Sequence, residues 1–210
     1  MLVKDALNYG KISNGNTKMP GTTYAVDAFA CKVGSKLRNI PGSICEKCYT
    51  IKLQKLRPSV DQGYKTNLLK WVNRTSSKDW VDAIVFQINR YCKDGYHRWF
   101  DGGDCQSLEM LKAINEVAKL TPHIKHWLPT KEKGIVKAFG LKNIAPNLII
   151  RVSSAMIDGK PLNSFDWTST VHHEKPHYGF ECGALKRGNN CGSCRACWNK
   201  EITNISYKKH

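Results

Sequence analysis

The stretch from His97 to Val152 decides the fold class. It runs His97-Arg-Trp-Phe100, Asp101-Gly-Gly-Asp104, Ser107-Leu-Glu-Met-Leu-Lys-Ala-Ile-Asn-Glu-Val-Ala-Lys-Leu120, His123-Ile-Lys-His-Trp-Leu128, Pro129-Thr-Lys131, and on through Phe139 to Asn147-Leu-Ile-Ile-Arg-Val152. Apolar and aromatic runs of four to six residues at 97–100, 123–128 and 147–152 suit strands. The segments between them, Ser107 to Leu120 and Lys131 to Phe139, are helical in composition and length. Strands separated by helices predict βαβ units, right-handed crossovers and a parallel sheet.

The same alternation extends in both directions. Upstream, Thr22 to Val26 is β-prone and bounded by Pro20-Gly21, which suits a first strand delivering Cys31 into a loop. Gly34, Pro41 and Gly42 are expected to keep that loop irregular as far as Cys45. Pro58 to Arg74 and Ser77 to Tyr91 read as helices, the second with apolar residues at i, i+1, i+4, i+5 and i+8 and Ser77 as its N-cap. The first twenty residues read as an irregular lead-in. Downstream, Thr168 to His172 suits a further strand. The expected class is α/β: a parallel sheet or partial (β/α) barrel, with cysteine-rich loops at both chain ends, in a single domain over residues 1–210.

In such sheets the loops beyond the carboxyl ends of the strands form the ligand crevice. Polar residues fall at those places: Asp101 and Asp104; Lys131; Arg151, Ser153 and Ser154; and His172 with His173. As a functional set, the two aspartates would hold a divalent metal or orient water. The histidines, Lys131 and Arg151 would serve as acid, base and phosphate-binding groups. The bland alternative is a turn, with the aspartates flanking Gly102-Gly103, and a solvated histidine pair.

The strongest chemical signal is the cysteines, nine in all. Cys191-Gly-Ser-Cys194-Arg-Ala-Cys197 is a C-x2-C-x2-C run with Cys182 upstream, a period that returns successive sulfurs to one side of the chain and suits an iron-sulfur cluster. Cys31, Cys45 and Cys48 form a second group. Seven cysteines exceed the four that one [4Fe-4S] cluster takes, so either one cluster ties the two chain ends together or there are two metal sites. Zinc is the alternative, with Cys45-x2-Cys48 and Cys194-x2-Cys197 supplying four thiolates. The gap between Cys31 and Cys45 departs from the compact C-x3-C-x2-C of radical S-adenosylmethionine enzymes. Cys92 and Cys105 read as ordinary buried thiols, and Trp71 and Trp80 as core. Trp99 and Trp127 lie at strand ends, where stacking a base is the lesser reading, and Trp198, directly after Cys197, would either shield a cluster or close the core.

The 33 Lys and Arg against 17 Asp and Glu give a net charge of +16, spread along the chain, which favours contact with nucleic acid. No apolar window approaches the roughly 18 residues of a membrane span, and residues 1–20 carry no apolar signal-peptide core. A cytoplasmic location is expected, where reduced cysteines serve as metal ligands rather than disulfides.

The order of motifs resembles the gene product 88 family of phage and plasmid proteins. The resemblance lies in Lys18-Met19-Pro20, Cys31, Lys36-Leu37, Ile40-Pro-Gly-Ser43, Cys45-Glu-Lys-Cys48-Tyr49 and Arg98-Trp-Phe-Asp-Gly-Gly-Asp104. It continues through Trp127-Leu-Pro-Thr-Lys131, Asn147-Leu148, Arg151-Val-Ser153 and Cys191-x2-Cys194-Arg-Ala-Cys197-Trp198. Gly102 and Cys105 depart from the family pattern. The resemblance implies a mobile-element protein in the host-cell cytoplasm, similar to phage proteins with an iron-sulfur, radical-SAM-like α/β barrel. The sequence thus leads to a [4Fe-4S] protein acting on nucleic acid as a phosphodiester hydrolase. A radical or redox enzyme using S-adenosylmethionine, and a non-catalytic nucleic-acid-binding protein with a structural cluster, are the alternatives.

Overall fold

A computed structural model describes residues 1–15, 18–174 and 178–209. Seven strands form one all-parallel sheet: β1 (Thr22–Tyr24), β2 (Tyr96–Trp99), β3 (Lys125–Thr130), β4 (Leu148–Ser153), β5 (Thr168–His172), β6 (Phe180–Glu181) and β7 (Asn204–Lys208). Their order is β1-β2-β3-β4-β5-β7-β6, so consecutive strands are neighbours until β7 slots between β5 and β6. Among the described residues seven α-helices accompany them: α1 (Val3–Ala6), α2 (Lys32–Leu37), α3 (Tyr49–Leu56), α4 (Pro58–Val72), α5 (Ser77–Tyr91), α6 (Leu108–Leu120) and α7 (Lys133–Phe139). No helix among the described residues is long and apolar enough to cross a membrane.

The α/β alternation expected from residues 97–152 is present. Its boundaries move for identifiable reasons. Phe100 takes a left-handed conformation, φ 54°, and ends β2 at Trp99. β3 runs on through Pro129 to Thr130 because β2 pairs only as far as Trp127, so the proline's missing N–H leaves no neighbour unpaired on that side. α7 starts at Lys133 rather than Lys131, since Thr130, Lys131 and Glu132 are bonded into the loop around Asp104. The N-cap of α5 is Ser76, whose hydroxyl accepts from the Lys78 amide, while Ser77 donates to Glu109. Gly34 does not keep its loop irregular: it lies within α2. Among its described residues the lead-in is irregular apart from α1, and Ser13 pairs with Thr23 to bind it to β1.

One face of the sheet is covered by α5 and α6, whose Ile84, Ile88, Met110, Leu111, Ile114 and Val117 pack on Trp99, Leu128, Leu148, Ile150 and Val152. Trp80 is its aromatic centre, with ring centres 5.0 Å from Trp71 and 5.6 Å from Tyr24. Trp71 and Trp80 are core, as expected. Trp99 is core as well, wholly buried against Trp80 and His126, so it is not placed to stack a base. Cys92 and Cys105 are buried, their thiols donating to the carbonyls of Tyr96 and Ser107. The residues alternating with this apolar set, among them Arg98, Trp127, Arg151, Ser153 and Ser169, belong to the opposite face, which α5 and α6 leave to loops and the C-terminal segment.

Candidate metal centres around a strand-end cavity

The carboxyl ends of the strands open onto a cavity of about 510 Å³. Cys31, Cys45 and Cys48 line it together with Arg98, Asp101 and Lys131. Backbone contacts hold the cysteine loop there. The Ile44 amide donates to the Ala155 carbonyl at 2.9 Å, and the Ile157 amide to that of Gly42 at 3.0 Å, pinning the Cys45 turn to the segment beyond β4. At the other end, the Val33 amide donates to the Glu132 carboxylate at 2.8 Å, which fixes the start of α2 next to Cys31. Cys48 stands at the N-terminus of α3, and the Tyr49 hydroxyl donates to the Asp101 carbonyl.

The three thiols are neighbours. Burial raises the Cys31 pKa well above the ordinary thiol range, with Asp104, Cys48 and Cys45 adding to the effect. Burial also raises that of Cys45, against the pull of Lys131. Gly34 lies beneath them. A β-carbon there would stand 3.0 Å from Cys31 Cβ and 3.6 and 3.8 Å from the sulfurs of Cys45 and Cys31, so glycine keeps the space beside both sulfurs clear.

The second group forms on the C-terminal segment. The Cys191 amide donates to the Lys18 carbonyl at 2.7 Å, and the Cys194 amide to the Cys191 carbonyl at 3.0 Å. Burial raises the Cys191 pKa, with Cys182 and Cys194 adding to it and Arg98 and Arg187 opposing. Burial pushes Cys197 up to about 12; a hydrogen bond with Tyr207 opposes this most strongly, at 3.4 Å between sulfur and oxygen. Cys182 also acts on Cys197. Trp198 is buried beside this group, donating to the His97 carbonyl at 3.0 Å and packing on Trp127. Each set of cysteines is thus gathered, although among the described residues no three His, Cys, Asp or Glu side chains close around a common point as a bound metal ion would require. Two sulfur-only donor sets, one of three and one of four, suit soft-metal or iron-sulfur chemistry.

The fold brings Asp101, Asp104 and Lys131 to one cavity wall and bonds Arg151, His172 and His173 elsewhere. Asp104 is buried, and its carboxylate accepts from Thr130 Oγ1 at 2.6 Å and from the amides of Cys105 and Lys131 at 2.7 and 2.8 Å. Burial still pushes its pKa up to about 6. It clamps the β2 loop to the β3 loop. Asp101 and Lys131 share the cavity wall with it. Burial raises the Asp101 pKa, with Arg98 opposing. Arg151 is fully buried and donates to five carbonyls, those of Ala196, Cys197, Asn199, Ile202 and Thr203, so its fork latches the C-terminal segment and has no donor left for a phosphate. His172 is buried at the end of β5, its Nδ1 2.7 Å from Ser206 Oγ. Neighbouring His173 is exposed, with its ring nitrogen and its amide both on Asp158. The two histidines serve different contacts and form no joint acid-base pair with the aspartates.

Comparison with known families matches the gene product 88 model over residues 11–200. The chain belongs to the gene product 88 family. The match spans both cysteine groups and every strand except β7. No curated protein and no solved structure matches the chain. For this gene product 88 protein, sequence reasoning missed Glu132 and Arg98. Glu132 carried a signal, a carboxylate two residues beyond the end of β3 at Thr130. Arg98 was visible in the strand motif Arg98-Trp-Phe, but a half-buried strand position gives no indication that its partner is absent.

Proposed function

We propose that the protein is an iron-sulfur enzyme in which Cys31, Cys45 and Cys48 hold a [4Fe-4S] cluster beside the strand-end cavity, where a small substrate binds. Cys182, Cys191, Cys194 and Cys197 form a separate four-thiolate centre. The observation that carries this reading is that three cysteines from one loop line the same cavity, with glycine beneath two of the sulfurs, while Arg151 and His172 of the hydrolytic set are bonded into the structure. Three thiolates on a cluster that takes four ligands leave one position for a ligand from the cavity. The cluster supplies redox chemistry. The chain's own residues shape the space: Asp104 fixes two loops, Glu132 holds the Cys31 turn, and Trp127 and Tyr207 wall the cavity.

A redox or radical reaction is therefore preferred here to phosphodiester hydrolysis. A hydrolase remains the second reading, because Asp101, Asp104 and Lys131 do share the cavity wall and the +16 charge favours polyanions. Zinc in place of iron is the alternative for the four-thiolate centre. The test is anaerobic purification followed by metal and sulfide analysis, then incubation with labelled DNA and RNA and, after reduction, with S-adenosylmethionine. Iron with sulfide, intact nucleic acid and reductive cleavage of S-adenosylmethionine support the proposal. Nucleic-acid cleavage abolished by Asp101→Ala, in a protein without iron, would replace it with the hydrolase.

A further inference from the structure

We infer that the cavity contains an anion-binding subsite centred on Arg98, which takes the carboxylate or phosphate group of a small ligand. Arg98 lies on β2 and faces the cavity. Its guanidinium carbon is 4.7 Å from the Trp127 ring centre, so the ring covers one face of the fork and orients it. Among the described residues it has no carboxylate within ion-pair distance. Its hydrogen-bond acceptor is the thioether sulfur of Met19, 3.2 Å from one terminal nitrogen, and its buried Nε has none.

Arg151 shows how this fold treats a guanidinium that serves structure alone, with five carbonyl acceptors around it. Arg98 is left without such a set. A buried cation without a partner is costly unless something neutralises it. Burial opposes its charge, while Tyr49, Asp101, Tyr207 and Cys197 favour it from a distance and hold it protonated. Two more polar atoms on the same wall are buried without partners, Asp101 Oδ1 and Trp127 Nε1. Two unsatisfied donors on one cavity wall, Arg98 Nε and Trp127 Nε1, point to an acceptor-bearing ligand, because a natural core leaves few of them; Asp101 Oδ1 is an acceptor and offers an anion no bond. A planar fork with free donors matches a carboxylate or a phosphate. Lys131, on the same wall, adds to the positive field, and no donor of Arg98 has to be taken from a protein partner when the ligand enters.

This inference needs no cluster, so it stands or falls separately from the proposed iron-sulfur chemistry. The experiment is isothermal titration of the full-length protein, as purified, with inorganic pyrophosphate in one arm and succinate in the other, at constant ionic strength. Wild type, Arg98→Met, Arg98→Lys and the surface control Lys112→Ala are compared, with thermal denaturation of each. Saturable binding of one anion by wild type and Lys112→Ala is expected, weakened at least about 30-fold in Arg98→Met, the loss that truncating one partner of a buried charge pair brings. Arg98→Lys is expected to bind more weakly than wild type because it lacks the fork. Thermal denaturation of each ligand-free variant confirms that it is folded, so that lost binding reports the subsite rather than unfolding. Pyrophosphate binding alone identifies a phosphate-bearing ligand, and succinate binding alone a carboxylate-bearing one. No binding of either anion, or equal binding by Arg98→Met, would overturn the inference.

Discussion

Replacing Arg151 tests whether the C-terminal cysteine segment is held by a single buried side chain. Its Nη1 lies 2.8 Å from the Ile202 carbonyl and its Nη2 2.8 Å from that of Asn199; contacts to Cys197, Ala196 and Thr203 fall between 3.1 and 3.4 Å. Burial lowers its pKa, with Tyr207 and Cys197 opposing, and the five carbonyls compensate the buried charge. A hydrogen bond to a charged group contributes about 1.5–3 kcal/mol net, and such contributions do not add fully. With two short bonds and three long ones, Arg151→Met should cost about 3–5 kcal/mol, comparable to breaking a buried ionic contact. Arg151→Lys keeps the charge, but one ammonium cannot span carbonyls from Ala196 to Thr203 and should recover less than half of the loss. Urea denaturation followed by circular dichroism measures the first effect, and the rate at which a thiol reagent labels Cys197 measures the second, since release of the segment exposes a sulfur that is now buried. An Arg151→Met variant within about 0.5 kcal/mol of wild type, or full recovery in Arg151→Lys, would refute the reasoning.

Three further predictions concern the sheet and the cysteine loop. Burial lowers the His126 pKa from its ordinary 6.5 to about 3. The unfolded chain therefore takes up a proton that the folded chain refuses, and stability falls as pH drops below about 6.5, by about 1.4 kcal/mol per pH unit for this residue. His126→Gln should flatten the pH dependence of stability by that slope between about pH 6.5 and 4.5, and an unchanged slope would count against it. Gly102→Ala should lower stability by about 1–3 kcal/mol, because its β-carbon would lie 2.3 Å from Tyr64 Cε2 and 2.9 Å from Thr50 Cγ2; a variant melting with wild type would contradict that packing. Glu132→Ala leaves the Val33 amide without its acceptor, at about 1–3 kcal/mol, and should speed labelling of Cys31 while leaving Cys194 unaffected. Equal acceleration at both would show general loosening instead.

The strand-helix alternation of residues 97–152 was legible because each element is long enough to show its own period. β6, with two residues, and β7, inserted between β5 and β6, were not, since pairing order is set by contacts distant in sequence. The cysteine groups were legible from spacing. That only the group of three lines the strand-end cavity was not, because it depends on how the loop from Gly42 to Ile44 docks beyond β4. Asp101, Asp104 and Lys131 were found from their position after strands, and they do reach one wall. Arg151 and His172 follow the same rule in sequence yet are bonded into the structure, because a strand end fixes where a residue lies but not what its side chain touches. Arg98 reverses the case: an ordinary strand residue in sequence, it is the cation without an acceptor set in the structure.

The most direct measurement is iron and acid-labile sulfide per chain, with the absorption spectrum, in anaerobically purified wild type and in the triple variant Cys31→Ala, Cys45→Ala, Cys48→Ala. A brown wild type containing iron and sulfide is predicted, with the triple variant losing the iron of the cavity cluster and keeping the metal held by Cys182, Cys191, Cys194 and Cys197. A colourless wild type without iron or sulfide, or a triple variant that keeps the whole iron content, would contradict the account.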